Sequence, residues 1–194
     1  MKKKIVSLCL VVAMLAIAVI GGSLAYFTDN EQADNVFTVG NVDIALTEPN
    51  WVTTGSQDAP EVYPGEALAK DPTVENTGKN PCFVRIQVTG LDALGDGNLI
   101  KIRNSNYAVD AVNEGWTIYG DYIYYNSVLA VDAITNPAFS SIVIPTTVTN
   151  GFDGSYDIVV KAEAVQAQGA KPSFSAVQAM TVEEIDAWFT TCMG

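Results

Sequence analysis

Short segments with apolar residues at every second position recur along the chain from residue 36 onwards, a pattern typical of half-buried β-strands. The strongest is Cys82–Thr89 (CFVRIQVT), whose two faces both carry apolar side chains. We therefore expect this strand in the middle of a sheet. Segments 116–119 and 122–129 flank Gly120-Asp121, which predicts a hairpin. The other predicted strands span residues 36–46, 71–75, 140–148 and 156–165.

Turn residues separate these strands, and one helix is predicted near the C-terminus. Residues 49–60 and the sequence VYPG at 62–65 are rich in Pro, Gly, Asn and Asp, which favour turns. Thr181 and Glu184 fit a helix capping box. An apolar stripe at helical spacing follows, formed by Ile185, Trp188 and Phe189. The pattern predicts an all-β fold, a jelly-roll-like antiparallel β-sandwich with a short C-terminal helix.

The N-terminus has the layout of a secretory signal peptide. Three lysines at positions 2–4 precede an apolar run, residues 5–20, and the small residues Ser23 and Ala25 follow. This order predicts a signal helix over residues 1–25 that is cleaved between Ala25 and Tyr26. The mature domain then spans residues 26–194 and is secreted. The alternative is an uncleaved membrane anchor, although the run is short for a spanning helix.

The chain is strongly acidic, and cleavage makes it more so. The whole sequence has 10 basic and 22 acidic residues, a net charge of −12. The predicted leader removes three lysines and no acidic residue, which leaves a net charge of −15. A surface of this charge repels nucleic acid and anionic membranes. We predict no nucleic-acid partner and membrane contact only through an uncleaved leader.

Candidate catalytic residues are scarce. The chain has no His, which excludes a Ser-His-Asp triad, a Cys-His pair and a His-based zinc site. Asp92 and Asp96 lie in a Gly-rich loop that we interpret as an ordinary turn, with a calcium loop as the weaker alternative. We predict no other cofactor. Cys82 and Cys192 remain after cleavage, and export permits a disulfide between them, although burial of Cys82 is the alternative.

Two stretches resemble the TasA/camelysin family, a group of Gram-positive exported proteins processed by a dedicated signal peptidase, SipW. Residues 21–48 (GGSLAYFTDNEQADNVFTVGNVDIALTE) carry a small-residue cleavage site, an aromatic-aromatic-Thr-Asp tract and the sequence N-x-F-x-x-G-x-V-D-I. Residues 62–88 (VYPGEALAKDPTVENTGKNPCFVRIQV) match the family's P-G and V-x-N-T-G sequences and the strand that follows. Together they cover about a third of the chain.

The resemblance implies a structural protein of the extracellular matrix or cell surface that self-associates into biofilm fibres. In such fibres the mature N-terminal segment adds as a strand to the next subunit, and here residues 26–39 would be that donor. An ordinary edge strand within its own subunit is the alternative. A secreted camelysin-type metallo-endopeptidase and an accessory surface or spore-coat-associated subunit are the other implied functions. The donor residues would be Tyr26, Phe27, Val36, Phe37 and Val39.

Overall fold

The computed structural model describes residues 42–59, 62–95, 97–148, 156–171 and 173–193. These residues form nine strands, one π-helical turn (Trp51–Gly55) and three α-helices. The helices are α1 (Ser56–Asp58), α2 (Phe174–Gln178) and α3 (Val182–Met193). The strands are β1 (Ile44–Thr47), β2 (Ala67–Ala69), β3 (Thr73–Asn76), β4 (Cys82–Thr89), β5 (Lys101–Arg103), β6 (Trp116–Tyr119), β7 (Tyr122–Tyr125), β8 (Ser141–Val143) and β9 (Val159–Gln166).

The strands form three sheets in which every pairing is antiparallel. The strand orders are β1-β3, β2-β8-β5 and β6-β7-β4-β9. As predicted, β4 is an inner strand, and it pairs with β9 over its full length. The β6–β7 hairpin also forms where Gly120-Asp121 predicted it, with Ile118 opposite Ile123. The expected all-β fold with a short C-terminal helix is confirmed.

Two apolar clusters pack on opposite faces of the four-stranded sheet, because side chains alternate along β4. Val84 and Ile86 point into the main core, together with side chains of the two smaller sheets. Phe83 points the other way, into a cluster with Ile185 and Phe189 of α3. The apolar stripe predicted on the C-terminal helix therefore packs on a sheet, as expected.

The predicted capping box is present at the start of α3. The Glu184 backbone N–H donates to Thr181 Oγ1 at 3.4 Å, and the Thr181 N–H donates to Glu184 Oε2 at 3.1 Å. Each side chain thus satisfies a backbone donor that the first helical turn leaves without an intrahelical acceptor. The Trp188 indole N–H then donates to the Gln166 carbonyl at 2.8 Å, which ties α3 to the end of β9.

Residues 49–59 are helical rather than a string of turns, so that part of the prediction is wrong. The Asp71 carboxylate accepts the backbone N–H groups of Asn50 at 2.8 Å and Trp51 at 3.3 Å. A side chain about twenty positions downstream therefore caps this segment. Gly55 is buried there, and a Cβ on it would lie 2.1 Å from the Ala69 carbonyl oxygen. Local turn propensity carries no information about either contact.

Candidate functional site

The predicted cleavage and strand-donor residues lie outside the described part of the chain. This holds for Ala25, Tyr26, Phe27, Val36, Phe37 and Val39. The described residues begin at Val42, two residues before β1. A donor strand requires an acceptor. Among the described residues, the acceptor would be a sheet edge whose backbone groups are free to pair with an added strand.

The outer edge of β9 has this character. Cys82 N–H and carbonyl bond to Leu129 on the other side of β4, so Cys82 and Gln166 face each other without exchanging hydrogen bonds. Alternation along the ladder then turns the backbone groups of Val160, Ala162 and Ala164 away from β4. Among the described residues, only the Trp188 indole N–H bonds to this edge, at the Gln166 carbonyl. We call this row of groups the β9 edge.

The side chains along the β9 edge leave apolar surface partly exposed. Val160, Ala162 and Ala164 are half-buried and pack against the main core. Alanine covers little of that core, so an added strand would bury apolar surface as well as satisfy backbone groups. The β9 edge is eight residues long, whereas the edge at β6 is four residues long.

A charged cluster lies on the opposite face of the sheet, beneath α3. The Arg85 side chain is 10% exposed, and its Nη2 lies 2.7 Å from Glu163 Oε2. Nη1 lies 3.7 Å from Asp186 Oδ1 of α3. The guanidinium also stacks on Tyr122 and Phe189, with its carbon 3.8 and 4.4 Å from the ring centroids. We call this group the Arg85 cluster, and it joins β4, β7, β9 and α3.

The ionisation states within the Arg85 cluster follow from burial and charge. Burial acts to raise the pKa of Glu163, but hydrogen bonds and charges from Lys161 and Arg85 outweigh it, so that the pKa is lowered. Burial and the hydrogen bond to Asp186 raise the pKa of Tyr124 to about 12. Tyr124 is therefore a neutral hydroxyl that donates to Asp186 and accepts from Arg85. Each of these polar groups has a hydrogen-bond or ion-pair partner within the cluster, so the cluster holds α3 against the sheet.

The Arg85 cluster was not predicted from the sequence. One feature of the sequence does indicate a buried charge, because Arg85 lies between Val84 and Ile86 in the most apolar strand of the chain. A cation at an inner position of such a strand requires a buried partner. Its partner Glu163 lies 78 positions away in the chain, and periodicity within either strand does not reveal the pairing.

The two cysteines are both free in the structure, so the disulfide considered in the sequence analysis is not formed. Cys82 points into the main core and is 0% exposed. Cys192 is exposed in the last turn of α3, which packs on the other face of the sheet. The backbone of the sheet therefore separates the two thiols. The alternative interpretation of Cys82, simple burial, agrees with this placement.

We expect a thiol reagent to label one cysteine of the mature folded protein and two after unfolding in urea. Cys82 is inaccessible, and burial raises the pKa of its thiol to about 12, so almost no reactive thiolate forms. Burial also raises the pKa of the Cys192 thiol, but its side chain is exposed. Intact mass measures the count, and Cys192→Ser should abolish labelling of the folded form. Two unreactive cysteines in urea without reductant would demonstrate a disulfide instead.

The fold and the β9 edge define a class of protein, an antiparallel β-sandwich with one helix-covered sheet face and an edge strand, β9, whose outer side pairs with no other strand in the described ranges. The family described as camelysin metallo-endopeptidase matches residues 1–91, which include β1 to β4. This N-terminal part of the chain is therefore similar to the TasA/camelysin family, in agreement with the sequence resemblance. No curated protein and no solved structure is significantly similar to the chain.

The donor set of this chain does not fit a hydrolytic zinc centre of the His-ligated type. The sequence has no His, and no three Cys, Asp or Glu side chains among the described residues lie close enough to hold a metal. Two charged residues of the family-matched part, Lys70 and Asp71, have structural partners. Lys70 Nζ lies 3.0 Å from Glu48 Oε2, and Asp71 caps the π-helical turn. Within the ranges that the structure describes, no helix is long and apolar enough to span a membrane.

Proposed function

We propose that this protein is a secreted structural component of the extracellular matrix or cell surface, and that it assembles into fibres by N-terminal strand donation. The observation that carries the proposal is the β9 edge, where outward-facing backbone groups border a partly exposed apolar surface. A strand from another subunit would satisfy those groups and cover that surface in a single step.

The donor segment has a pattern that suits this edge. Phe37 and Val39 are two positions apart, so an extended backbone places both side chains on one face. That face would cover Ala162 and Ala164, whose small side chains leave room for larger apolar ones. Asp29, Glu31 and Asp34 lie earlier in the segment and keep it soluble before it pairs.

Strand donation from one subunit to the next is a heterologous contact, and such contacts propagate into open filaments. Each subunit has one donor segment and one acceptor edge, which gives a linear polymer. Because the mature chain has a net charge of −15, added salt should favour assembly by screening repulsion between subunits. The extracellular location is supported by the leader sequence and by the family, whose members are typically extracellular or surface-associated.

We expect the purified mature protein to form filaments that depend on concentration, and we expect Ala162→Pro to abolish them. Proline removes the outward-facing N–H of Ala162 but leaves the β4 ladder intact, because that N–H does not point towards β4. Ala162→Ser is the matched control, since it keeps the N–H and nearly the same volume. Deletion of residues 26–39 should also abolish the filaments, which negative-stain electron microscopy would measure.

Two outcomes would contradict the proposal. One is filaments of unchanged length and number after deletion of residues 26–39. The other is normal filaments from Ala162→Pro in a preparation whose circular dichroism matches that of the parent. As a positive test, a synthetic peptide of residues 26–39 should bind the deletion variant, and it should bind Ala162→Pro in the same background at least about tenfold more weakly, because one edge hydrogen bond is lost.

The description of the matching family favours a second candidate, a secreted metallo-endopeptidase. This function predicts that the purified protein cleaves casein and that a chelator abolishes the cleavage. The metal would have to be held by carboxylates, carbonyls or thiolates, a donor set that suits calcium better than hydrolytic zinc. Absence of turnover with a range of added divalent cations would eliminate this candidate and leave the structural one.

A further inference from the structure

A cavity of about 570 Å³ lies beside the end of β4 and is bordered by residues 87–92, by residues 99–102 and by the β6–β7 hairpin. Its floor consists of side chains of the main core, Ile100, Ile102 and Ile123. The cavity therefore continues the apolar core to the surface. Its size lies within the range of pockets that enclose small organic molecules.

Two large apolar side chains at the rim of the cavity are exposed. Leu99 is 50% exposed, and Ile118 on β6 is 46% exposed. Both side chains line the cavity. Apolar side chains held at the mouth of an apolar cavity favour a ligand with an apolar body, because each would lose contact with water when the ligand binds.

The polar groups at the same rim are predominantly anionic. Asp92 and Asp121 line the cavity and are exposed. Neither has an ion-pair partner among the described residues. The cation at the rim, Lys101, is paired with Asp110 at 2.6 Å. The rim thus has a net charge of −2, on a protein that is itself strongly acidic, and attracts positive charge.

We propose that this cavity binds a small amphipathic cation. The apolar body of the ligand lies against Ile102, Ile118 and Ile123, and its positive group remains at the rim beside Asp92 and Asp121. The carboxylates determine the sign of the charge that the ligand carries. The apolar walls supply most of the binding free energy. This site is independent of the β9 edge, so its test does not depend on fibre assembly.

Isothermal titration of the purified secreted protein with n-octylammonium and n-octanoate tests the proposal. The two probes have the same apolar body and opposite charges. We expect n-octylammonium to bind about tenfold more tightly than n-octanoate, a ratio that corresponds to roughly one favourable charge interaction at close range. The preference should shrink in high salt, because the rim is exposed to solvent.

Matched variants locate the site. Asp92→Asn with Asp121→Asn should reduce the preference for n-octylammonium to less than about threefold, because the charge interaction is lost. The control, Glu114→Gln with Glu183→Gln, removes the same charge from exposed positions away from the cavity and should retain most of the preference. Ile118→Gln should weaken the binding of both probes.

Three results would overturn the proposal. The first is equal or tighter binding of n-octanoate by the unmodified protein. The second is no measurable binding of either probe at millimolar concentration. The third is an equal loss of preference in the cavity variant and in the control variant, which would indicate attraction to the overall charge rather than a site. All the substituted residues are exposed, and circular dichroism would confirm that each variant is folded.

Discussion

Arg85→Met should lower the free energy of unfolding by about 3 kcal/mol, the scale observed when one partner of a buried ion pair is removed. The substitution leaves the Glu163 carboxylate, whose side chain is 8% exposed, without its inner cation. It also removes the guanidinium that stacks between Tyr122 and Phe189. The helix α3 should therefore loosen from the sheet. The midpoint of urea unfolding measures the loss.

Lys161→Met is the matched control for this prediction. Lys161 lies 2.6 Å from the other oxygen of Glu163, but its side chain is 64% exposed. Water compensates for an exposed cation, so the expected loss is below about 1 kcal/mol. Arg85→Met combined with Glu163→Met should recover much of the stability, because no unpaired charge remains buried. If Arg85→Met alone lowered the free energy of unfolding by less than about 1 kcal/mol, the cluster would not be what holds α3 on the sheet.

Asn76→Ala should also lower the free energy of unfolding by about 3 kcal/mol or more. Asn76 is 0% exposed, and its side chain makes three hydrogen bonds to the backbone. Nδ2 donates to the carbonyls of Asn80 at 2.9 Å and Leu129 at 3.1 Å. Oδ1 accepts the Gly78 N–H at 3.0 Å. The alanine variant loses all three hydrogen bonds, although the Leu129 carbonyl still accepts from Cys82 N–H and the Gly78 N–H still donates to the Asp43 carbonyl. Each hydrogen bond contributes roughly 0.5–1.5 kcal/mol to stability, and the three together give the expected loss.

Thr77→Ala is the control for Asn76→Ala. Thr77 is the next residue in the same V-x-N-T-G sequence, but it is exposed, and its change should stay within about 0.5 kcal/mol. Thermal unfolding of the two variants under identical conditions provides the comparison. If Asn76→Ala were as stable as Thr77→Ala, the structural role that we assign to Asn76 would be wrong. The comparison also tests whether a residue in the family-matched part of the chain is needed for folding.

The predicted strands and their types were largely correct where a local pattern decided the outcome. The hairpin around Gly120-Asp121 and the capping box at Thr181 depend on residues within a few positions of each other. The inner position of β4 was also predictable, since both of its faces are apolar. In contrast, residues 49–59 were predicted as turns and are helical, because the Asp71 carboxylate caps them from a distant position.

The candidate site was likewise predictable from the sequence only in part. The donor segment, residues 26–39, was found from sequence through its resemblance to the TasA/camelysin family and remains a prediction, because it lies outside the described residues. The acceptor edge was not predictable. Nothing in the sequence of β9 reveals that it pairs with β4 alone among the described strands, or that Ala162 and Ala164 lie beside the core.

The sequence by itself determined the period-2 strands, the hairpin turn at Gly120-Asp121, the helix start at Thr181 and the family resemblance of the N-terminal part, because each depends on residues close together along the chain. Only the tertiary structure decided the partner of Arg85, the separation of Cys82 from Cys192 and the position of β9 at the edge of the described four-stranded sheet. These features join residues far apart in sequence. Their free energies come from burial and from satisfied hydrogen bonds, which exist only after the sheets have packed.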